Sequence, residues 1–301
     1  MLTIAPFKGL TYNFNERKDI SRLVAPPYDV ISPEEQRAYY QADPHNVIRL
    51  ILGEKRTGDS DWDNRYTRAA DAFGRWQSNR HLIRSPHPCL YLTAMTYDPG
   101  NGMVMRTRWG IISLARIEDE GSGVILPHER TFSAHKEDRL KLFRACGAQF
   151  SQIFGLYDDH ENVVLNACRT SADLTPQMDF QLTDGTRHQL WILDNSLLFK
   201  QVAEAMRPKT IFIADGHHRY ETSRNYRNIM RSRHGRKPAD KSYDFVMMYL
   251  SNMRDEGLTI LPSHRMVKRV PGFNEESFVE KAGKWFDITS FPVSPNGMVK
   301  E

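Results

Sequence analysis

The sequence predicts an α+β fold, a mixed sheet with surrounding helices. Three observations predict it. Strand and helix patterns alternate along the chain without a regular βαβ rhythm. One pair of strand patterns is joined by "DPGNG" (98–102), a turn that favours an antiparallel hairpin. The 301 residues, 40% hydrophobic and 26% charged, suffice for a sizeable core. Because hairpin strands pair, no boundary is placed between them, and residues 1–301 are read as a single α+β domain.

The elements follow in order. "RLVAPPYDVIS" (22–32) begins apolar and stiffens at Pro26-Pro27, whose rings fix φ and disfavour helix at the preceding residue. "SPEEQRAYYQAD" (32–43) has serine at the N-cap, proline at N1 and acids in the first turn, a well-formed helix start. "NVIRLILG" (46–53) reads as a strand closed by glycine, and a polar loop (53–61) leads to a helix through about Gln77. The hairpin strands follow within "CLYLTAMTYDPGNGMVMRTRWGIISLARIE". A loop then runs to about Ser133, a helix to about Cys146, and "SQIFGLYDD" (151–159) is strand-like. "NSLLFKQVAEAM" (195–206) places Leu197, Leu198, Val202 and Met206 at helical spacing. "KTIFIAD" (209–215) is a short strand and "HRYETSRNYRNIM" (218–230) a helix, with strands expected in "YDFVMMYLSNM" and "GLTILPSHRMVKRV". No internal repeat or low-complexity segment is present.

Composition excludes several function classes. No apolar run approaches the roughly 20 residues that span a bilayer, and the N-terminus lacks the basic-then-apolar order of a signal peptide. Cys89, Cys146 and Cys168 are far apart and form no CxxC, so neither a disulfide framework nor a cysteine zinc site is expected. The reading is a cytoplasmic protein. Net charge is +4, and the arginine-rich run at 224–241 is read as an exposed helix end and loop rather than a nucleic-acid surface.

"IADGHHRYETS" (213–223) carries the chemistry. A strand, then Asp215-Gly216, then a helix opening on His217, His218 and Arg219 builds an anion site. The first helix amides have no internal partner, the helix dipole is positive there, and glycine lets the backbone approach a ligand. Two imidazoles and a guanidinium at that point suit phosphate. Asp215 can cap the helix or orient an imidazole. A dedicated metal cage is not expected, because adjacent histidines diverge on a helix and no H-E-x-x-H occurs. Mg2+ held jointly by a nucleotide and one carboxylate stays open. A second constellation is "LPHERTFSAHKEDRLKLFR" (126–144), with Leu140 and Phe143 marking a buried stripe. Lys136 and Arg139 lie at or beside that stripe, while Asp138 and Lys141 point away. Glu129, in the loop with His128 and Thr131, is the candidate general base. The third is "APPYDVIS", where two prolines hold Tyr28 and Asp29 on a stiff turn, for a ligand or as a rigid connector.

"APFKGLTYN", "APPYDVIS", "NVIRLILG", "PHERT" with "KEDRLKLFR", "IFGLYDD", "IADGHHRYETS" and "ILPSHRMV", in that order, resemble the DUF1015 family of bacteria and archaea, over nearly the whole chain. Members are usually around four hundred residues, so the resemblance implies that a C-terminal portion is lacking here. The family is uncharacterised; its genes often lie beside serine-biosynthesis genes. The turn Asp215-Gly216-His217-His218-Arg219 more narrowly resembles the phosphate motif of the ParB/sulfiredoxin superfamily, closest to the free serine kinases. His217 stands where sulfiredoxins carry their cysteine, so thiol repair is not implied. ParB-type switches have glutamate and arginine where His217 and His218 stand.

The expectation is a nucleotide-dependent phosphotransferase acting on a small hydroxylated, serine-like metabolite, with ATP or ADP as cofactor. Gly216, His217, His218 and Arg219 would hold phosphates, Lys136 or Arg139 would neutralise the transferring group, and Glu129 or Asp215 would activate the acceptor hydroxyl. The alternatives are a non-catalytic nucleotide-binding switch that contacts nucleic acid or protein, and a metal-dependent hydrolase.

Overall fold

A computed structural model describes residues 1–16, 19–100, 102–129, 133–173, 175–234, 241–260 and 268–289, with the backbone alone at 133–135. In chain order the strands are β1 (Ile4–Ala5), β2 (Leu10–Tyr12), β3 (Leu82–Arg84), β4 (Leu90–Tyr97), β5 (Arg106–Arg116), β6 (Ile125–Leu126), β7 (Ile153–Tyr157), β8 (Met178–Gln181), β9 (Arg187–Leu193), β10 (Ile211–Asp215) and β11 (Phe245–Asn252). The helices are α1 (Pro33–Ala42), α2 (Ile48–Ile51), α3 (Arg65–Ser78), α4 (Ser133–Cys146), α5 (Val163–Ser171), α6 (Ser196–Met206), α7 (His217–His234) and α8 (Glu275–Ala282).

One sheet organises the fold, in the order β6-β10-β7-β11-β5-β4-β9-β8, with β1 added against β5. It is mixed, as expected: β6 and β10 pair parallel, as do β7 and β11, and the remaining pairs are antiparallel. The hairpin forms as read, with β4 and β5 in register from Tyr91↔Ile112 to Tyr97↔Arg106. Alternation along the strands turns Ile153, Tyr157, Ile211, Ile213, Met248 and Leu250 to one face. There they form the main core with Leu165 and Cys168 of α5 and Leu198, Val202 and Met206 of α6. On the other face, a smaller cluster of Leu50, Ala72, Trp76 and Leu82 joins α2, α3 and the β2–β3 pair.

Helix starts follow their side chains. Ser32 caps α1 in a capping box with Glu35, Asn64 caps α3, and Asn195 caps α6 through the Leu197 and Leu198 amides. "NVIRLILG" is a correction, because it contains the short helix α2 rather than a strand. Buried Asn46 explains it: its amide donates to the Arg22 and Val24 carbonyls at 2.7 and 3.0 Å and accepts from the Ile48 amide at 2.9 Å. That side chain starts a turn. A short, mostly apolar run has no clear period to separate helix from strand. "GLTILPSHRMVKRV" was expected to supply a strand; its described residues, 257–260 and 268–270, form none, and 261–267 lie outside the described residues.

Residues 1–301 were read as one domain; the chain divides into two compact units, Met1–Thr259 and Ile260–Glu301. The second contains α8, capped by Asn274 through the Ser277 amide at 2.8 Å. Among the described residues no helix is long and apolar enough to cross a membrane. All three cysteines are free. Burial pushes the Cys146 thiol up to about 11 and the Cys168 thiol up to about 12.

Candidate functional site

The Asp-Gly-His-His-Arg turn is where the sequence placed it. β10 ends at Asp215, Gly216 turns the chain, and α7 begins at His217. Gly216 has φ +94°, where a side chain is strained, and a Cβ there would stand 3.0 Å from the Arg219 guanidinium, which would have to give way by a few tenths of an ångström. The register between β10 and β7 shifts between Ile213 and Asp215, a bulge that re-aims Asp215 at the end of the strand. Its carboxylate accepts from Arg219, one turn along α7, and Arg219 also donates to the Gln152 carbonyl.

His217 is buried, with 4% of its side chain exposed. Its Nε2 accepts from the His128 amide at 3.2 Å, which assigns the proton of the neutral ring to Nδ1. That Nδ1 lies 3.8 Å from the Glu129 carboxylate. The two imidazoles meet edge to face with centroids 4.5 Å apart, and His128 Nδ1 donates to the Ile213 carbonyl at 2.7 Å. Burial, and then the neighbouring His128, hold the His217 pKa below the usual histidine range against the opposing pull of Glu129 and Asp215. His217 is therefore a neutral hydrogen-bonding group at neutral pH. The "PHERT" loop thus meets the turn at His217, although neither His128 nor Glu129 is among the residues that line the cleft beside Arg219. Thr131 lies outside the described residues.

α4 brings the basic residues to α7. Lys136 Nζ pairs with Glu221 at 2.8 Å, and the Thr222 hydroxyl faces the Lys136 carbonyl at 3.5 Å. Arg139 donates to Asp138 at 2.8 Å through Nε and to the Ile51 carbonyl at 2.8 Å, while its guanidinium stacks 3.8 Å over the Tyr28 ring. The stiff "APPYDVIS" turn therefore contributes Tyr28 to the same region. Burial raises the Tyr28 pKa against the nearby Arg139 cation.

The helical wheel needs two corrections. Among the described side chains of α4 Leu142 is buried while Leu140 and Phe143 are half-buried, and Asp138 turns inward instead of away. Asp138 accepts from Arg139 and Arg65 and from the Tyr66 hydroxyl at 2.6 Å. Burial alone would raise its carboxyl; Arg139, Tyr66 and Arg65 outweigh it and hold the pKa below the usual range. Arg65 and Tyr66 were missed because their partner lies 73 and 72 residues further along the chain.

Between these elements lies a cleft of about 60 Å³, lined among others by Tyr28, Arg139, Ser151, Arg219, Thr222 and Ser223. It is large enough for ordered water or for one small tetrahedral group. Arg219 lines it; His217 and His218, expected to face a pocket, are not among its lining residues. Each cation has a carboxylate: Arg219 with Asp215, Lys136 with Glu221, and Arg139 and Arg65 with Asp138. Among the described residues no group of three or more His, Cys, Asp or Glu side chains is arranged to hold a metal.

Three arginines of the basic run after the turn are ion-paired. Arg227 is buried and donates to the Ile117 carbonyl at 2.7 Å and to Asp119 at 2.6 Å; Arg224 pairs with Glu120, and Arg231 with Asp244. These arginines tie α7 to the segment after β5 and to the start of β11, while Ser232, Arg233 and His234 form an exposed helix end, as expected. Residues 235–240 lie outside the described residues.

A family model described as a protein of unknown function (DUF1015) matches residues 4–300. No match was found among curated proteins, and none among solved structures.

Proposed function

The chain belongs to the DUF1015 family, whose description assigns no activity, and from the site itself we propose a nucleotide-dependent phosphotransferase acting on a small hydroxylated, serine-like metabolite. One observation carries the reading. A glycine turn at positive φ leads into Arg219, which lines a phosphate-sized cleft with Arg139; Lys136 reaches the cleft wall through Thr222, and Glu129 stands beside His217 at the start of the same helix. Unpaired helix amides and a guanidinium fork are the groups that recognise phosphate oxygens. The likeness of the turn to the ParB/sulfiredoxin superfamily and its serine kinases belongs to this proposal.

The cleft admits the terminal phosphate, and the remainder of the nucleotide lies outside it. Phosphate oxygens take over the Arg219 guanidinium, which releases Asp215, itself 56% exposed. Asp215 is then a suitable single carboxylate for Mg2+ arriving with the nucleotide, whose contribution is charge neutralisation. The acceptor hydroxyl oxygen attacks the terminal phosphorus and its proton passes to Glu129. The nucleotide leaves one phosphate shorter, as ADP from ATP or AMP from ADP. Neutral His217 orients Glu129, while Lys136 and Arg139 stabilise the equatorial oxygens.

A thermal-shift panel of ATP, ADP, pyrophosphate and serine, with and without Mg2+, tests the reading. A nucleotide at a hundredfold excess over its Kd should stabilise the native state by about 2.7 kcal/mol. Arg219→Lys should weaken that binding by roughly 1.5–3 kcal/mol, because lysine lacks the paired donors. Phosphoserine formed from ATP or ADP supports transfer. Nucleotide binding without any product supports a binding switch instead, and silence from every nucleotide overturns both.

A further inference from the structure

On the second face of the sheet lies a larger cavity, of about 670 Å³, bounded by that face and by the cluster of α2, α3 and the β2–β3 pair. Leu114 of β5 and Met247 of β11 contribute from the sheet, Leu10 and Leu82 from the β2–β3 pair. Three aromatic pairs line it: Phe7 with Tyr91 at 5.1 Å, Phe73 with Phe150 at 5.0 Å, and Phe143 stacked on Tyr226 at 4.3 Å. A volume of this size is typical of organic-ligand sites.

The polar groups on its wall are largely engaged within the protein. The Tyr12 hydroxyl donates to the His45 carbonyl at 2.8 Å, and the Tyr91 hydroxyl accepts from the Gly9 amide at 2.8 Å. Gln149 accepts from the Met247 amide at 2.7 Å and donates to the Phe245 carbonyl at 3.2 Å. What remains is mostly apolar and aromatic surface, with the uncharged polar residues Thr11, Gln152 and Ser242 and two cations. Lys8 and Arg84 lie side by side on the wall, the Arg84 guanidinium donating to the Lys8 carbonyl at 3.2 Å. Both are exposed, which puts their charges at the mouth. Among the described residues no Asp or Glu lines the cavity. Among the described residues neither cation has an ion pair, in contrast to the balanced charges around Arg219.

We propose that this cavity is a second binding site, for an amphipathic organic anion with a bulky apolar body and one anionic head. The body fills the aromatic chamber, where burial of apolar surface drives binding. The head stays at the mouth, where Lys8 and Arg84 meet it without full desolvation. Phe143, Ala148, Gln149 and Phe150 separate the chamber from the Arg219 cleft and line both. The inference does not depend on the proposed phosphotransfer.

Calorimetric titration of the full chain with dodecanoate and with 2-naphthoate, each beside its neutral alcohol, tests the assignment and distinguishes a chain-bearing body from a ring-bearing one. One of the two anions should bind saturably at one per chain and at least tenfold more tightly than its alcohol. Lys8→Glu with Arg84→Glu, both on exposed residues, should abolish that preference and leave the alcohol's binding unchanged. Leu114→Trp, which fills the chamber, should abolish binding of both forms. Equal binding of acid and alcohol, no binding of either anion, or indifference to the charge reversals overturns the proposal. Full displacement of the anion by ATP overturns it too, since the chamber would then belong to the nucleotide.

Discussion

Gly216 and His217 hold adjacent positions but constrain the turn in different ways. At Gly216 the constraint is steric. Gly216→Ala should cost roughly 1–3 kcal/mol, the scale of strain for a side chain held at positive φ, and should also shift Arg219, whose guanidinium would lie 3.0 Å from the new methyl group. Urea unfolding measures the first effect, and loss of nucleotide stabilisation the second. At His217 the constraint is electrostatic and depends on pH. Its pKa is depressed by burial and by His128, with His218 acting the same way and Glu129 and Asp215 opposing. Above the ordinary histidine value of about 6.5 the folded and unfolded states are both neutral, and His217 adds no pH dependence. Below that value the unfolded chain binds a proton that the native state resists, so stability falls as pH falls toward the folded pKa and then levels off. His217→Gln should therefore lose more stability at pH 7.5 than at pH 5.5, relative to the unaltered protein. His188, also depressed by burial, keeps its slope in both proteins and cancels from the comparison. An equal loss at both pH values would mean that His217 titrates as it does in water.

At the scale of elements, Asp138 joins α3 to α4. It accepts from Arg65 and Tyr66 on one helix and from Arg139 on its own, all partly or largely buried. Asp138→Ala leaves two guanidinium groups without their carboxylate and should destabilise by about 2 kcal/mol, within the usual cost of stranding a buried polar group. Because the Asp138 pKa is depressed, its contribution is present above about pH 4 and lost as pH falls through the folded pKa. Acid unfolding should accordingly begin at a higher pH in the unaltered protein, relative to its own plateau, than Asp138→Ala shows relative to its plateau. This pairing also marks the limit of what could be read from the chain. Elements with an amphipathic period or a capping residue were legible: α1, α3, α4, α6 and the β4–β5 hairpin all lie where local pattern puts them. So was the turn at Gly216, whose signal is local. α2 was not legible, because Asn46 decides it through carbonyls 24 and 22 residues earlier. Short strands such as β6, and the pairing of β10 between β6 and β7, depend on partners remote in sequence. The site shows the same division. Its residues were visible one by one, while the carboxylate that each cation holds in the folded chain was not.

At the scale of the whole molecule, stability should reside in one unit. Among the described residues the three hydrophobic clusters draw their buried residues from the segment Met1–Thr259. In the other unit α8 has no buried residue, and Phe273, Phe278, Trp285 and Phe286 are exposed. A segment of roughly 40 residues seldom folds alone without a disulfide, a metal or a partner chain. A chain ending at Thr259 should therefore unfold in one cooperative transition, with a midpoint within about 4 °C of the longer protein, the shift that about 1 kcal/mol produces in a domain of this size. The peptide 260–301 should show no cooperative transition by circular dichroism. The shorter chain also retains Gly216, Arg219, Arg139, Lys8 and Arg84, so both proposed sites should keep their ligands. Loss of cooperative melting on truncation would show that the segment after Thr259 completes the core. Intact melting with lost nucleotide binding would show that it completes the site instead.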